Sequence, residues 1–409
     1  MMRVTTVLNK LLRAQELWVR DFRIRFEERA VWIDVAPRWR VSRCGCCGRK
    51  SRRRHDRAWR SWRHLDLFGW RCLLRYQIGR VRCRRCGVRT EKVPWAAHGS
   101  RFTCDFEQQV AWLAQRSDLT AVAEYFRISW SSVRRIVDRV VERAWDAETA
   151  LDGLRMIGVD EISYRRHHNY LTVVVDHVSG RVVWAGKDRK AKTLLRFFRK
   201  LGPERAAQLE AISADMWEAY LIVIRKKAPQ ARIIFDRFHI VRHLNEAVTK
   251  VRQQLIRESD PQTRRDLKNT RFPVLKLPES RTPQDRQVLE EQVRGNRKLF
   301  RAMLLKDDFM DLYTYQREGW ARRFLDGWLR RALYSKIEPI KKVARMIRRH
   351  LDGVVGWVQW QISNGRLEGM NNRIRLLSHR SFGLHSAKAL ISLVYLCCGG
   401  LKLQNVHGK

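Results

Sequence analysis

The order of apolar and polar positions divides the chain into β-rich and α-rich segments. Alternation with a period of two at residues 22–26 and 30–35 is typical of half-buried strands, whereas residues 5–18 have the spacing of a helix. Residues 104–145 are predicted to be helical, and the helical pattern is almost continuous from 237 to about 360. The chain is therefore expected to contain two to four domains of mixed secondary structure.

Short apolar runs alternate with helical segments between residues 154 and 235. The pattern predicts five strands, each of the last two preceded by a helix, at 156–160, 170–176, 181–186, 211–213 and 232–235. A meander of three strands followed by helix, strand, helix and strand is the element order of an RNase H-like α/β fold. In that fold the fourth strand lies beside the first, so Asp160 and Asp215 are expected to be neighbours about 5 Å apart.

The charge balance adds a polyanionic partner to this picture. The 409 residues include 84 Lys and Arg against 42 Asp and Glu, a formal charge of +42. Such an excess attracts nucleic acid by counterion release and electrostatic steering. Ribosomal, heparin-binding and basic membrane-surface proteins are the alternatives. The basic residues are spread over Trp-rich segments that should fold, which favours a nucleic-acid enzyme with an extended footprint.

The sequence predicts a cytoplasmic protein without a membrane partner. Residues 1–15 lack the apolar core of a signal peptide, and the longest apolar run, 389–398, is too short to cross a bilayer.

Four cysteines form two C-x2-C turns, each followed by glycine: Cys44 with Cys47, and Cys83 with Cys86. Such turns present two thiolates to one metal, and two of them supply the four ligands of a structural Zn²⁺. Because closed four-thiolate sites are structural, no catalysis is assigned to this metal.

The surroundings of these turns leave some alternatives open. Cys46 could replace Cys44 or Cys47, and His55 and His64 are lesser candidates for ligands. A hairpin built from 70–76 and 79–82 is expected between the two turns. Reduced buried cysteines or a redox pair would be the alternatives to a zinc site.

A helix-turn-helix is predicted after the cysteine module. Its helices are expected at 106–116, 120–126 and 130–137, with Thr120 and Ser129 as N-caps of the second and third. The third helix would present four side chains to the DNA major groove: Trp130, Ser131, Arg134 and Arg135. A generic three-helix bundle is the alternative.

Three carboxylates stand out in this basic chain. Asp160 and Asp215 end apolar runs, and Glu368 lies in a helical stretch rich in Asn and Arg. Attack of a hydroxyl on a phosphodiester requires two divalent ions about 4 Å apart, and carboxylates suit Mg²⁺ or Mn²⁺. The three side chains are therefore predicted to hold two such ions.

Further polar residues lie beside this triad. Asp236 also ends a strand and could replace Asp215, although the fifth strand would place it roughly 10 Å from the first. Glu161 is expected to point to the opposite face of the sheet from Asp160. Four polar residues flank Glu368 at helical spacing: Asn371, Asn372, Arg373 and Arg375. They are predicted to contact the DNA backbone, with a solvated polar face as the alternative.

Several sequence blocks occur together in one known family. They are 158–161, 213–216, 235–239 and 364–372. With the cysteine module and the helix-turn-helix, they resemble bacterial insertion-sequence transposases, specifically the ISL-three family of DDE transposases, over nearly the whole chain. The resemblance implies an RNase H-like catalytic core with a large helical insertion, preceded by a zinc-ribbon-like module and a helix-turn-helix. It also implies that Asp160, Asp215 and Glu368 are catalytic.

These inferences together predict six consecutive regions. They are an N-terminal helix and strands (1–40), a zinc module (41–100), a helix-turn-helix domain (101–150), the first part of the core (151–236), a helical insertion (237–360) and the core completion carrying Glu368 (361–409).

The predicted function is that of a transposase. It would bind terminal inverted repeats and catalyse metal-dependent cleavage and strand transfer on double-stranded DNA, as a homodimer or higher oligomer at the bacterial nucleoid. Two alternatives are a metal-dependent nuclease that does not join strands, and a non-catalytic zinc and helix-turn-helix regulator.

Overall fold

The chain forms two compact units. The computed structural model describes residues 4–11, 16–165, 169–360, 365–381 and 386–405. The first unit comprises 1–145, 380–383 and 401–409, and the second comprises 146–379 and 384–400.

The first unit begins with a helix and a five-stranded sheet. The elements are α1 (Val4–Leu11), β1 (Leu17–Arg25), β2 (Ala30–Pro37), β3 (Arg54–Leu67), β4 (Trp70–Cys83) and β5 (Gly87–Thr90). The strand order is β1-β2-β4-β3, and β5 pairs with β4. Strand β2 runs parallel to β4, while the other pairs are antiparallel. Apolar side chains that include Ile33, Trp62 and Leu74 form the core of this sheet.

Two predictions for this region are wrong. The first helix is described over Val4–Leu11 and does not extend to residue 18, because Trp18 lies in β1, whose alternating residues pair with β2. The hairpin expected from 70–76 and 79–82 does not form, because both segments belong to the continuous strand β4, whose antiparallel partner is β3. Gly79 is not a break between strands; the position of its missing Cβ is 3.3 Å from the Asp56 carbonyl oxygen, so glycine permits the close approach of β3.

Three helices follow in the first unit: α2 (Cys104–Ala114), α3 (Leu119–Phe126) and α4 (Trp130–Ala144). Ser129 caps α4 as predicted, since its side chain accepts a hydrogen bond from the Ser132 N–H. The prediction that Thr120 caps α3 is wrong. Asp118 does so, because its Oδ1 accepts from the N–H groups of Thr120 and Ala121 at 2.9 Å each.

The second unit contains the other sheet. Its strands are β6 (Met156–Arg165), β7 (Asn169–Asp176), β8 (Val182–Lys187), β9 (Ala211–Ala214) and β10 (Arg232–Phe235). The strand order is β10-β9-β6-β7-β8. Strands β6, β7 and β8 are antiparallel neighbours, whereas β9 runs parallel to both β6 and β10. The prediction that the fourth strand of this region lies beside the first is confirmed.

Four short helices accompany this sheet in sequence: α5 (Ala147–Ala150), α6 (Ala191–Leu201), α7 (Pro203–Ala207) and α8 (Glu218–Lys227). Their apolar side chains, among them Leu194, Phe197 and Tyr220, pack with Ile157 and Val159 of β6. Strands β7, β8 and β9 are buried over most of their length because the sheet is covered on both faces.

The predicted helical pattern between 237 and 360 is also confirmed. Its α-helices are α9 (Arg237–Glu258), α10 (Pro261–Lys268), α11 (Arg271–Leu275), α12 (Pro283–Val288), α13 (Arg297–Met310), α14 (Glu318–Leu333), α15 (Glu338–Arg349) and α16 (Leu351–Trp360). They surround a core that includes Leu244, Phe309 and Trp328. Two further helices return to the sheet, α17 (Gly365–Arg380) and α18 (Ala387–Cys398). In the described residues, no helix has both the length and the apolar character needed to cross a membrane.

Candidate functional site

The two C-x2-C turns bring four sulfur atoms together. The thiols of Cys44, Cys47, Cys83 and Cys86 all lie within 4.8 Å of one another. A glycine with positive φ follows each turn, Gly48 at 71° and Gly87 at 73°. These left-handed residues reverse the chain directly after the second cysteine of each pair, which is how two short turns can face one point.

The other candidate ligands lie outside this group. Cys46 is exposed, and the His64 ring nitrogen Nδ1 is 2.9 Å from the Thr103 hydroxyl. Backbone N–H groups of Arg85 and Cys86 lower the pKa of the Cys83 thiol to about 6, which favours the thiolate. Four thiolates at these distances suit a tetrahedral ion and leave no open position, so this centre fits a structural role.

Asp160 and Asp215 lie on adjacent parallel strands of the second unit. The last paired residues of β6 and β9 are Gly158 and Ser213. Asp160 and Asp215 each follow two positions later, so both lie where the pairing of the two strands ends, at the same edge of the sheet. Each carboxylate accepts a hydrogen bond from the next backbone N–H, at 2.7 Å for Asp160 and 2.6 Å for Asp215.

Helix α17 covers the face of β6 that carries Asp160. Gly158 shares that face because side-chain direction alternates along a strand. The position of its missing Cβ is 2.6 Å from Cδ1 of Leu367, so only glycine allows α17 to pack this closely. One turn later, the Asn371 amide donates to Oδ2 of Asp160 at 2.5 Å, and Asn371 is 8% exposed.

Glu368 lies in the first turn of α17, next to Leu367 and three positions before Asn371. Its side chain is exposed. Within the described part of the chain, the four thiols are the only set of three or more candidate ligands that lie within 4.8 Å of one another. Leu367, directly before Glu368, thus packs on β6, but the three carboxylates do not form so tight a group among the described residues. Asn364, the first residue of the sequence block 364–372, lies outside the described residues.

Asp236 follows β10 and lies on the far side of Asp215 from Asp160. Strand β9 separates β10 from β6, which is the arrangement that favoured Asp215 over Asp236 in the sequence. The Asp236 side chain caps α9 by accepting from the Phe238 N–H at 2.7 Å. The His239 ring lies between the two carboxylates, with Nδ1 3.7 Å from Asp215 Oδ2 and Nε2 3.6 Å from Asp236 Oδ2.

Glu161 adds a buried carboxylate directly after Asp160. Its Oε1 is 3.1 Å from Nε of Arg189, whose guanidinium lies 4.8 Å from the centre of the Trp217 ring. Burial raises the pKa of Glu161 to about 7, and the charges of Asp160 and Asp215 contribute in the same direction against the opposing effect of Arg189.

The predicted DNA-contacting residues of α4 lie at the start of that helix. Ser131 and Arg135 are exposed, while Trp130 and Arg134 are half-buried. The Arg134 guanidinium donates to Asp138 at 3.0 Å, one turn further along the helix. Buried valine and isoleucine side chains cover the other face of α4, so its N-terminal residues remain at the surface.

The four polar residues predicted to hold DNA on α17 have different environments. Asn372, Arg373 and Arg375 are exposed, and Arg375 donates to the Asn372 side chain at 3.1 Å. Asn371 instead points inward to Asp160, so a phosphate contact there would require that hydrogen bond to break. Neither this inward contact nor the close packing at Gly158 was predicted from the sequence. A lone glycine within an apolar strand is the signal that could have indicated the close packing.

Three segments of the chain match family models. Residues 157–394 match a model described as "Transposase", residues 91–141 match the "Helix-turn-helix domain of transposase family ISL3", and residues 40–86 match the "zinc-finger of transposase IS204/IS1001/IS1096/IS1165".

Curated relatives cover most of the chain. It is 36% identical over 396 residues to the transposase for insertion sequence element IS1557 of Mycobacterium tuberculosis, and the aligned region covers 90% of this chain and 88% of that protein. It is 30% identical over 359 residues to the transposase for insertion sequence element IS1001 of Bordetella parapertussis, covering 87% and 88% respectively.

Proposed function

Because this chain belongs to the ISL3 family of insertion-sequence transposases, we propose that it binds the terminal inverted repeats of its element and catalyses metal-dependent cleavage and strand transfer of DNA. The observation that carries the proposal is the register of β6 with β9, which makes Asp160 and Asp215 neighbours under the helix that holds Glu368.

The proposal assigns strands β6–β10 to an RNase H-like core. The strand order β10-β9-β6-β7-β8, with β9 and β10 parallel to β6, supports this assignment. Helices α9–α16 then form the helical insertion, because they lie in sequence between β10 and α17 and have their own apolar core.

The residues present fit divalent ions at this edge of the sheet. Asp160 and Asp215 are half-buried, and Glu368 is exposed, so the site offers hard oxygen ligands and remains open to a substrate. Two ions bound there would activate the attacking oxygen and stabilise the leaving oxygen. Asn371 holds the Asp160 carboxylate in one orientation, and His239 lies within reach of Asp215 and Asp236.

The reaction needs no covalent bond between protein and DNA. In the first step, water attacks the phosphodiester at the element end, and the 3′-oxygen leaves as a hydroxyl after it takes up a proton. In the second step, that 3′-hydroxyl attacks a phosphodiester of the target, which releases a target 3′-hydroxyl. Exposed Arg373 and Arg375 on α17 would hold the DNA backbone beside the carboxylates.

The first unit supplies recognition in this proposal. The four thiolates hold a structural Zn²⁺ that joins the segment before β3 to the β4–β5 hairpin. The start of α4 enters the major groove with Trp130, Ser131, Arg134 and Arg135.

Cleavage and joining of a labelled inverted-repeat duplex with Mg²⁺ or Mn²⁺ test the proposal. Asp160→Asn should lower both rates by about a thousandfold or more, because the variant cannot hold the ions that stabilise the transition state. Binding of the same duplex should stay within about twofold of the wild type.

Glu210→Gln is the matched control, since Glu210 is an exposed carboxylate that directly precedes the opposite end of β9. Its activity should be unchanged. Full cleavage by Asp160→Asn would overturn the metal assignment. Cleavage without joining by the wild type would favour the nuclease, and binding without any strand breakage would favour the regulator.

A further inference from the structure

A groove lined by tryptophan and arginine lies on the N-terminal sheet. It has a volume of about 610 Å³ and is bordered by residues of β1, β2, β3 and β4. Strands β1 and β2 precede the first residue matched by any of the three family models, whereas β3 and β4 lie within the segment matched by the zinc-finger model. We refer to it as the Trp–Arg groove.

Two indole rings in the Trp–Arg groove are exposed and have a guanidinium against the ring. Trp18 is 49% exposed and Trp59 is 58% exposed. The Arg38 guanidinium carbon lies 4.0 Å from the centre of the Trp18 ring, and that of Arg75 lies 4.4 Å from the centre of the Trp59 ring. Because a guanidinium occupies one side of each ring, the remaining exposed area can accept another flat group.

The groove is also strongly basic. Exposed Arg20, Arg54 and Arg57 line it, and none of them makes an ion pair with the residues that the structure describes. The acidic groups nearby already have partners. Asp34 accepts from Arg75 at 2.8 Å, and Glu91 accepts from the Gly79 N–H at 2.7 Å. Five arginines and three carboxylates line the groove, so its net charge is positive.

We propose that the Trp–Arg groove binds unpaired nucleotides of DNA, with bases stacked on Trp18 and Trp59 and phosphates held by Arg20, Arg54 and Arg57. Exposed indoles beside arginines are stacking platforms for unstacked bases. The bases of an intact duplex already stack on each other, so a duplex could use the arginines but not the rings. The proposal rests on the proposed function and adds to it the single-stranded form of DNA that opening or cleavage of an element end exposes.

The test measures DNA binding by the full-length protein in a buffer without Mg²⁺, Mn²⁺ or chelator, so that it does not depend on catalysis. The probes are a fluorescent oligo-dT strand, an inverted-repeat duplex with a short 3′ overhang, and the same duplex with blunt ends. Trp18→Ala combined with Trp59→Ala should weaken binding of the single strand at least about tenfold. Binding of the overhang should weaken in the same direction, and binding of the blunt duplex should change less than about twofold.

Trp320→Ala is the matched control. Trp320 is 55% exposed, and the Arg323 guanidinium carbon lies 5.3 Å from its ring centre, but it belongs to α14 of the second unit. Its binding to all three probes should match the wild type. Bound zinc and circular dichroism of each variant verify that the first unit is folded.

Two further variants separate stacking from charge. The double variant Trp18→Phe and Trp59→Phe should retain part of the single-strand affinity, because a smaller ring still stacks. The double variant Arg54→Gln and Arg57→Gln should bind the single strand with a weaker salt dependence. The slope of the logarithm of the binding constant against the logarithm of the salt concentration should become shallower by about 0.7 for each phosphate that the variant no longer neutralises.

Three outcomes would overturn the proposal. One is an equal loss for the blunt duplex, which would make the groove a duplex-binding surface. The second is an unchanged single-strand affinity in the Trp18→Ala and Trp59→Ala double variant. The third is a double Phe variant at these positions that binds the single strand as weakly as the double Ala variant. The proposed function is tested separately, by strand transfer with the wild-type protein, and that test does not depend on the outcome of the single-strand binding experiment.

Discussion

The thiol group of the first unit and the carboxylates of the second differ in how the chain assembles them. Two short turns supply all four thiols, and their sulfur atoms lie within 4.8 Å of one another. The carboxylates come from β6, from the residue after β9 and from α17, and they do not form so tight a group among the described residues. The first centre is closed, whereas the second has an exposed member in Glu368.

This difference separates a centre that fits a structural role from the one that we propose is catalytic. Local turns set the ligand spacing of the thiols directly, so that centre should tolerate changes elsewhere and fail only when a ligand is removed. The carboxylate positions depend on strand register and on how α17 packs against Gly158. That centre should therefore respond to changes that leave every carboxylate in place.

The largest expected effect on folding follows from removing one thiol. Cys83→Ser should abolish stoichiometric zinc binding and weaken inverted-repeat binding at least about tenfold, because metal binding contributes much of the folding free energy of small zinc modules. Atomic absorption measures the bound zinc, thermal unfolding measures the loss of stability, and fluorescence anisotropy measures inverted-repeat binding. Cys46→Ser, which changes an exposed cysteine outside the group, should behave as the wild type. Retained zinc in Cys83→Ser would disprove the ligand assignment.

An intermediate effect is expected from the side chain that orients Asp160. Asn371→Ala removes the donor to Oδ2 and should raise the Mg²⁺ concentration needed for half-maximal cleavage about 10- to 100-fold. Cleavage measured across a Mg²⁺ titration provides the readout.

Asn372→Ala is the control for that experiment, because Asn372 is the exposed neighbour and contacts Arg375 instead. An unchanged Mg²⁺ requirement together with weaker DNA binding by Asn371→Ala would mean that Asn371 contacts phosphate, as the sequence alone suggested.

The smallest effect concerns packing alone. Gly158→Ala would place a methyl group 2.6 Å from Leu367 Cδ1 and 2.8 Å from His177 Nε2. We expect a loss of about 1–3 kcal/mol in the free energy of unfolding, measured by denaturant titration, together with slower cleavage as α17 moves away.

The matched control is Gly369→Ala, on α17 itself, because among the described residues no atom outside the neighbouring turns of that helix lies within 4 Å of the added methyl group. It should leave activity unchanged and stabilise the helix by about 0.5–1 kcal/mol. A second change, Leu367→Ala, should restore part of the activity of Gly158→Ala. Full activity in Gly158→Ala alone would show that the carboxylate site does not depend on this contact.

Much of the fold could be predicted because its signals are local. The strands of the second sheet follow apolar runs, the helical stretch after β10 has an uninterrupted period, and Ser129 has the chemistry of an N-cap. The wrong predictions occurred where pairing with another strand of the same sheet overrides a local signal. Trp18 lies in a strand because β2 pairs with it, and Gly79 continues β4 because β3 approaches closely.

The sequence by itself determined the thiol turns, the strand-end aspartates and the basic charge, because each depends on residues that are close together along the chain. Only the tertiary structure decided that β9 lies between β6 and β10, that Asn371 points to Asp160, and that Trp18 and Trp59 border one groove. These facts depend on which distant segments pack together. Register and packing are set by the summed contacts of whole elements, so no single motif encodes them.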